Sequence, residues 1–274
     1  MKYAKLITAL GFTALMSGCV VIAAPSSRAD FHIQKELTLN ADGLTAMDIE
    51  AGSGSLIIQG QAGLTEIKVT ADIYTSKKHT NNYELSLEKS GSTGFLVAKT
   101  LSSSGFWTGS SPHVDIVIHV PESMSLAVDD GSGEIEIKDI VGKLDVKDGS
   151  GGILIKNIVG DTSIQDGSGG IEISQINGML NIVDGSGGIE ITDVEGDLTI
   201  DDGSGTIFAK NINGNAKIND GSGDLTVKQV TGIVTLDDGS GDITVKEAGG
   251  LNIENSGSGG LNVSHVKGDF KIDS

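Results

Sequence analysis

The sequence predicts an all-β chain wound as a parallel β-helix, a β-solenoid with 18-residue coils and a less regular β cap at its N-terminal end. Three observations carry that prediction. A Gly-Ser-Gly corner recurs eight times between Asp130 and Gly259 at an interval of 18 residues, and seven of the eight follow an aspartate. Each unit holds two short alternating runs, Leu-x-Ile before the corner and Ile-x-Ile after it, as in Leu180-Asn-Ile182 and Ile189-Glu-Ile191. No part of the repeat shows the i, i+3, i+4 spacing of a helix. Self-similarity at a fixed period of about 20 residues describes units that cannot bury an apolar face alone and must stack to do so.

Within a unit, period-2 alternation of branched aliphatics makes a strand with one face inward. The corner glycines permit the positive φ angles of a tight change of direction, and a second glycine (Gly142, Gly160, Gly178, Gly196, Gly214, Gly232) makes the return bend. The inward residues Ile171, Ile173, Ile176, Leu180 and Ile182 are spaced 2, 3, 4 and 2. A left-handed hexapeptide solenoid needs an aliphatic residue every six positions, so that alternative fails, and the bias of parallel crossovers points to a right-handed coil. Eight coils at roughly 4.8 Å each give a rod on the order of 40 Å long. Five buried aliphatics per coil, at about 1.5–3 kcal/mol each before entropy is subtracted, supply the cohesion.

The chain divides into 1–18, 19–30, 31–120 and 121–274. In the first segment Lys2 and Lys5 precede an apolar run over 6–16 that is too short for an ordinary spanning helix, and Met16-Ser17-Gly18 leads to the only cysteine, Cys19. These residues resemble a bacterial lipoprotein signal, in which the peptidase cuts before a cysteine that carries the lipid. Met16 departs from the leucine commonest at its place. The resemblance implies a covalent lipid on Cys19 and attachment to the membrane through it. With Val20 rather than an aspartate next in line, it implies an outer-membrane address in the cell envelope, facing the periplasm or the cell surface. The other reading is an ordinary cleaved secretory peptide with an incidental cysteine.

A short tether over 20–30 follows, with Pro25-Ser26-Ser27. The cap begins with a disguised copy of the repeat, Met47-x-Ile49-x-Ala51-Gly52-Ser53-Gly54-Ser55-Leu56-x-Ile58, in which Ala51 takes the aspartate's place. Segments 65–75, 83–88, 95–100 and 114–120 alternate as further strands and cover one open end. At the other end Ser256 replaces the aspartate, one residue is lost before Leu251 and one is gained before Gly257. That worn coil is either a cap in its own right or an open edge awaiting a partner strand.

The chain has 37 acidic side chains against 19 Lys and Arg, for a formal net charge of -18, and removal of 1–18 takes away two of the lysines. Such a chain repels nucleic acid and anionic headgroups. With one cysteine there is no disulfide framework.

The sharpest polar feature is a column of aspartates, Asp130, Asp148, Asp166, Asp184, Asp202, Asp220 and Asp238, which the coil spacing stacks one above another. Unit charges about 4.8 Å apart repel by roughly 0.9 kcal/mol in water and about 3.5 at an effective dielectric of 20, so something must offset them. One offset is structural: each carboxylate accepts N–H groups of the following corner, with some members protonated. The other is a ladder of calcium ions. Toxin-type calcium repeats set their ligand two places after a glycine; here Ile153, Ile171 or Ile189 stands there, and the structural reading is preferred.

Catalysis finds little support. His32, His79, His113, His119 and His265 are scattered without metal-ligand spacing, although His113 and His119 fall on one face of a strand. The corner serines recur too regularly to be a nucleophile, and Gly-Ser-Gly-Gly lacks the lysine and helix of a phosphate loop. Outward columns such as Glu136, Leu154, Glu172, Glu190 and Phe208 offer binding surface instead. The aromatic pair Phe106-Trp107, in a loop of small residues, is a second candidate contact; packing onto the cap is its other reading.

Ile118-His-Val120-Pro121-Glu-Ser-Met-Ser-Leu126, running into Asp130-Gly-Ser-Gly133 and its successors, resembles the bacterial β-strand-repeat family of candidate adhesins, a domain of unknown function. The likeness spans 31–274. It implies an exported β-helical domain with adhesion as its nominal role and no catalytic residues to carry over. The expectation is therefore a non-enzymatic, lipid-anchored envelope protein, an adhesin or binding scaffold that presents a repetitive polar surface to an envelope protein or glycan and binds no nucleic acid or cofactor. The alternatives are a calcium-binding structural or sensor solenoid and, third, an enzyme acting on envelope polysaccharide.

Overall fold

The computed structural model describes residues 31–76, 80–101 and 111–272. Among them every regular element is a strand, and no helix is long and apolar enough to cross a membrane. The 18-residue coils are present in the predicted register. Strand Leu180–Asp184 turns through the corner into Gly187–Glu195, and the next coil repeats both as Leu198–Asp202 and Gly205–Ile212. Equivalent residues pair in parallel: Leu180 with Leu198, Ile182 with Ile200, Ile189 with Ile207. The five inward aliphatics are all buried, and the core runs unbroken from the cap to Ile253.

Each coil therefore contributes one strand to a pre-corner sheet and one to a post-corner sheet. The corner between them is held from coil to coil by backbone bonds. Gly167 N–H donates to the Asp148 carbonyl at 3.1 Å, and Gly169 N–H to the Ser186 carbonyl at 2.9 Å. The spacing of three between Ile173 and Ile176 breaks the alternation, and Gln175 absorbs the extra residue at φ 60. Seven equivalents do the same, Asp139, Asn157, Asp193, Asn211, Gln229, Glu247 and His265, all with φ between 57 and 62. Most are Asp, Asn or Gln, types with short or flexible polar side chains, and Asp and Asn tolerate the left-handed region best.

The cap adds a topology that alternation alone does not reveal. Its strands are β1 (Phe31–Asn40), β2 (Ala46–Ala51), β3 (Leu56–Gln61), β4 (Glu66–Thr75), β5 (Tyr83–Ser90), β6 (Thr93–Thr100) and β7 (His113–Pro121); β8 (Ser125–Asp130) and β9 (Gly133–Val141) open the regular repeat. The disguised coil β2–β3 sits in register on β8–β9, Met47 pairing with Leu126 and Leu56 with Ile135. Strands β6 and β7 then stack in parallel on the far side of β2 and β3 as a further coil. The β2–β3 coil is thus enclosed between two coils that follow it in sequence. Beyond them both sheets turn antiparallel, β5 on β6 in one and β4 then β1 on β7 in the other.

Among the described residues nothing covers the opposite end. Leu261–Val266 and Phe270–Ile272 pair with one neighbour only, and their inward positions Leu261, Phe270 and Ile272 are 40, 54 and 43% exposed. The lost and gained residues appear as register shifts between Val230 and Ile233 and between Leu236 and Asp237.

Candidate functional site

Three features of the rod hold the polar chemistry: the aspartate column, the outer face of the post-corner sheet, and the outer face of the cap. The aspartates come first because the structure places them inside. Asp184 follows Leu180 and Ile182 at spacings of two, so its side chain points the same way, into the core. All seven are buried, from 0% exposed at Asp238 to 7% at Asp148 and Asp166. In-register pairing stacks them, Asp148 on Asp166 and Asp184 on Asp202.

One carboxylate oxygen is committed. Oδ1 of Asp148, Asp166, Asp184, Asp202 and Asp238 accepts the N–H of the serine two residues on at 3.2 Å, and Oδ1 of Asp220 does so at 3.0 Å. That is an Asx turn, and it explains why Asp precedes Gly-Ser-Gly. The other oxygen, Oδ2, is buried without a hydrogen-bond partner in all seven. Burial raises every one of these carboxyl pKa values. Asp130 is pushed up to about 7 by burial and then by Asp148, and Asp166 and Asp202 to about 6, chiefly by burial. Calcium takes six to eight oxygens, whereas each rung offers one uncommitted oxygen among aliphatic side chains. Among the described residues no three His, Cys, Asp or Glu side chains converge as a metal site.

The outer face of the post-corner sheet carries an open groove of about 490 Å3. Its floor is Gly152, Gly170 and Gly188, stacked in register, with Glu134 and Thr206 at the two ends of that column. Glu136, Leu154, Glu172, Glu190 and Phe208 form the adjoining wall. Lys138 holds Glu136 at 2.5 Å, and Lys228 Nζ lies 5.1 Å from the Phe208 ring centre.

The floor glycines differ from those of the corner beside them. A Cβ on Gly169 would lie 1.6 Å from the Gly151 carbonyl oxygen, at a φ of +145 that only glycine adopts readily. A Cβ on Gly152 or Gly170 would meet nothing within 4 Å, and on Gly188 only Thr206 Oγ1 at 3.6 Å. Other coils fill the column with Glu134, Thr206, Asp224 and Asp242. Neither backbone nor packing requires glycine at these three coils. Without side chains the floor lets a ring or an extended chain lie against the peptide planes, with carboxylates for its donors and Leu154 and Phe208 for its apolar edges.

On the cap the fold gathers residues that look scattered in sequence. His32, Tyr74 and His113 face one another across β1, β4 and β7 as a stack, with ring centres 4.6 Å apart at each step. His32 Nε2 lies 2.7 Å from Asp72 Oδ1, and Asp115 Oδ1 accepts from Ser55 N–H and Oγ–H. Sequence reasoning missed this row because it needs the antiparallel register. His113 and His119 do share the outward face of β7, but His119 contacts Gln61 instead, at 2.9 Å. Cys19, Phe106, Trp107 and His79 lie outside the described residues.

Stacked parallel coils with an antiparallel cap at one end define a capped β-solenoid. Residues 44–273 match Toastrack DUF4097, and the chain belongs to that family. Among solved structures it is similar to a candidate adhesin of Bacteroides fragilis, at 12% identity and TM-score 0.43 over 84% of this chain and 97% of that one. It is also similar to a candidate lipid-binding protein of Parabacteroides distasonis, at 14% identity and TM-score 0.44 over 88% and 97%. A third likeness is to a candidate cell-adhesion protein of Clostridium sporogenes, at 14% identity and TM-score 0.36 over 88% and 99%. No curated protein matches the chain.

Proposed function

We propose that this protein is a non-enzymatic binding scaffold of the cell envelope, anchored to the outer membrane by lipid on Cys19, that presents the groove of its solenoid to an envelope glycan or protein. The observation that carries this reading is the row Gly152, Gly170 and Gly188. Glycine costs a strand roughly 0.5–1 kcal/mol relative to alanine, and here no φ and no neighbouring atom requires it. Three successive coils carry that cost, and what they gain is a floor without side chains beneath Glu172, Glu190, Leu154 and Phe208. Carboxylates beside a flat floor suit a partner rich in hydroxyl or ammonium donors. Membership of Toastrack DUF4097 is consistent with this reading. Phe106 and Trp107 belong to the proposal as a second contact, since aromatic residues supply much of the energy at interfaces.

The test fills the groove. The triple variant Gly152→Gln, Gly170→Gln, Gly188→Gln should keep its circular dichroism and melting temperature. Its capture of purified cell-wall glycan strands, or of envelope proteins by crosslinking, should fall at least about tenfold, a loss of roughly 1.4 kcal/mol. Undiminished capture by the folded variant removes the groove from the function.

A further inference from the structure

The seven aspartates of the core lie outside the groove, and their geometry sets a separate problem. Each is more than nine-tenths buried. Oδ1 is occupied by a backbone N–H in six of them, while Oδ2 is sealed from water with no donor in reach in all seven. No cation answers them: none of the six ion pairs among the described residues includes a member of the column. The inward side chains that share the interior, from the pre-corner and post-corner strands alike, are aliphatic apart from Thr162. The outward neighbours in sequence are Asp129, Lys147, Gln165, Val183, Asp201, Asn219 and Asp237, so the one cation points to solvent and three of the others add negative charge. An ionised carboxylate with one bare oxygen in such a place costs several kcal/mol, and a neighbouring carboxylate on the next rung adds to it.

We propose that the folded rod holds this column as stacked neutral carboxylic acids, so that folding takes up protons and the closure of the corners depends on pH. A proton is the only ligand that a single bare oxygen per rung can hold without further donors. The Asx turn survives protonation, because Oδ1 stays an acceptor for the serine N–H while Oδ2 carries the hydrogen.

The direction of the pH effect follows from the raised carboxyl pKa values. A carboxyl that binds its proton more tightly when folded stabilises the folded state fully at pH below its ordinary value near 4. That contribution is lost as pH rises towards the folded-state values, about 6 for Asp166 and Asp202 and about 7 for Asp130. The rod should therefore be most stable in mildly acidic solution and weaken between about pH 5 and pH 8.

The experiment is a series of thermal melts of the full chain from pH 5 to pH 9, for the wild type and for Asp166→Asn, Asp184→Asn, Asp202→Asn combined. Asparagine imitates the neutral acid in shape and keeps an oxygen for the serine N–H. The wild type should melt at least about 10 °C lower at pH 8 than at pH 5. The triple variant should show a shallower decline and melt above the wild type at pH 8. An infrared carbonyl band of protonated carboxyl groups should be present in the wild type between about pH 5 and pH 6, where ordinary carboxyl groups are ionised, and weaker in the variant. A wild type whose melting temperature does not fall over this range would overturn the proposal, as would a variant that declines as steeply. Should the variant fail to fold, Asp184→Asn alone and the wild-type infrared titration decide the matter: a fully ionised column at pH 6 is the contrary result.

Discussion

At the scale of single residues, the corner separates two uses of glycine that stand side by side. Gly169 is held by φ +145 and by a carbonyl oxygen 1.6 Å from where its Cβ would be, whereas Gly170 has an ordinary φ and open space. The two alanine substitutions should therefore differ in sign. Gly169→Ala forces both a strained backbone and a shift of the coil below, at a cost of roughly 2–4 kcal/mol. Gly170→Ala should be neutral or stabilise by up to about 0.5–1 kcal/mol. Urea melts of the two variants check this, and equal losses would mean that the floor glycines are structural after all, which would also remove the main support for the groove. The aspartates make the complementary point. Charged residues are seldom fully buried, and that generality directs attention to the turn-capping role that Oδ1 fulfils. The burial was nevertheless legible in the arithmetic, since Leu180, Ile182 and Asp184 fall two apart and must share a face.

At the scale of strands, the register is set by side chains and is sharply testable. Ile189 is buried between Ile171 and Ile207, while Glu190 looks outward beside Glu172 and Phe208. Ile189→Asp should lose more than about 4 kcal/mol through the lost burial and the buried charge together. Glu190→Lys should stay within about 0.5 kcal/mol of the wild type. Chemical denaturation of both variants measures the difference, and similar losses would reject the register. This level was the most legible in the sequence, because period-2 aliphatics over repeated units leave one consistent solution. The spacing of three between Ile173 and Ile176 was visible but not its remedy, the left-handed residue at Gln175, because a single irregular step carries no local mark of φ. The cap was legible only as strands. That β1 lies antiparallel on β4, and β2–β3 between two later coils, depends on pairings between distant segments that no local pattern encodes. The histidine and tyrosine stack inherits that obscurity, since its members come from three strands.

At the scale of the whole molecule, the rod is a one-dimensional stack in which each coil is held by its neighbours, so stability depends on position along the axis rather than along the chain. The two ends are unlike. At one, antiparallel strands cover the last parallel coil, and Ile67, Val69, Leu96 and Ile116 are buried beneath or among them. At the other, Leu261, Phe270 and Ile272 keep much of their surface in water, and a net charge of -18 opposes the approach of a second copy that could cover them. Amide hydrogen exchange should follow this layout. Strands Leu261–Val266 and Phe270–Ile272 should exchange first, through local opening of a coil with one neighbour, and Ile243–Asn255 next. The central coils from Gly151–Val159 to Ala216–Asp220 should exchange last. The telling segment is Ala46–Ala51 with Leu56–Gln61, which begins close to the start of the described chain yet is enclosed on both sides. If stacking governs stability, its amides should be as slow as those of the central coils; if they instead exchange as early as the last coil, the cap opens as a unit and the enclosed coil is not held by its neighbours.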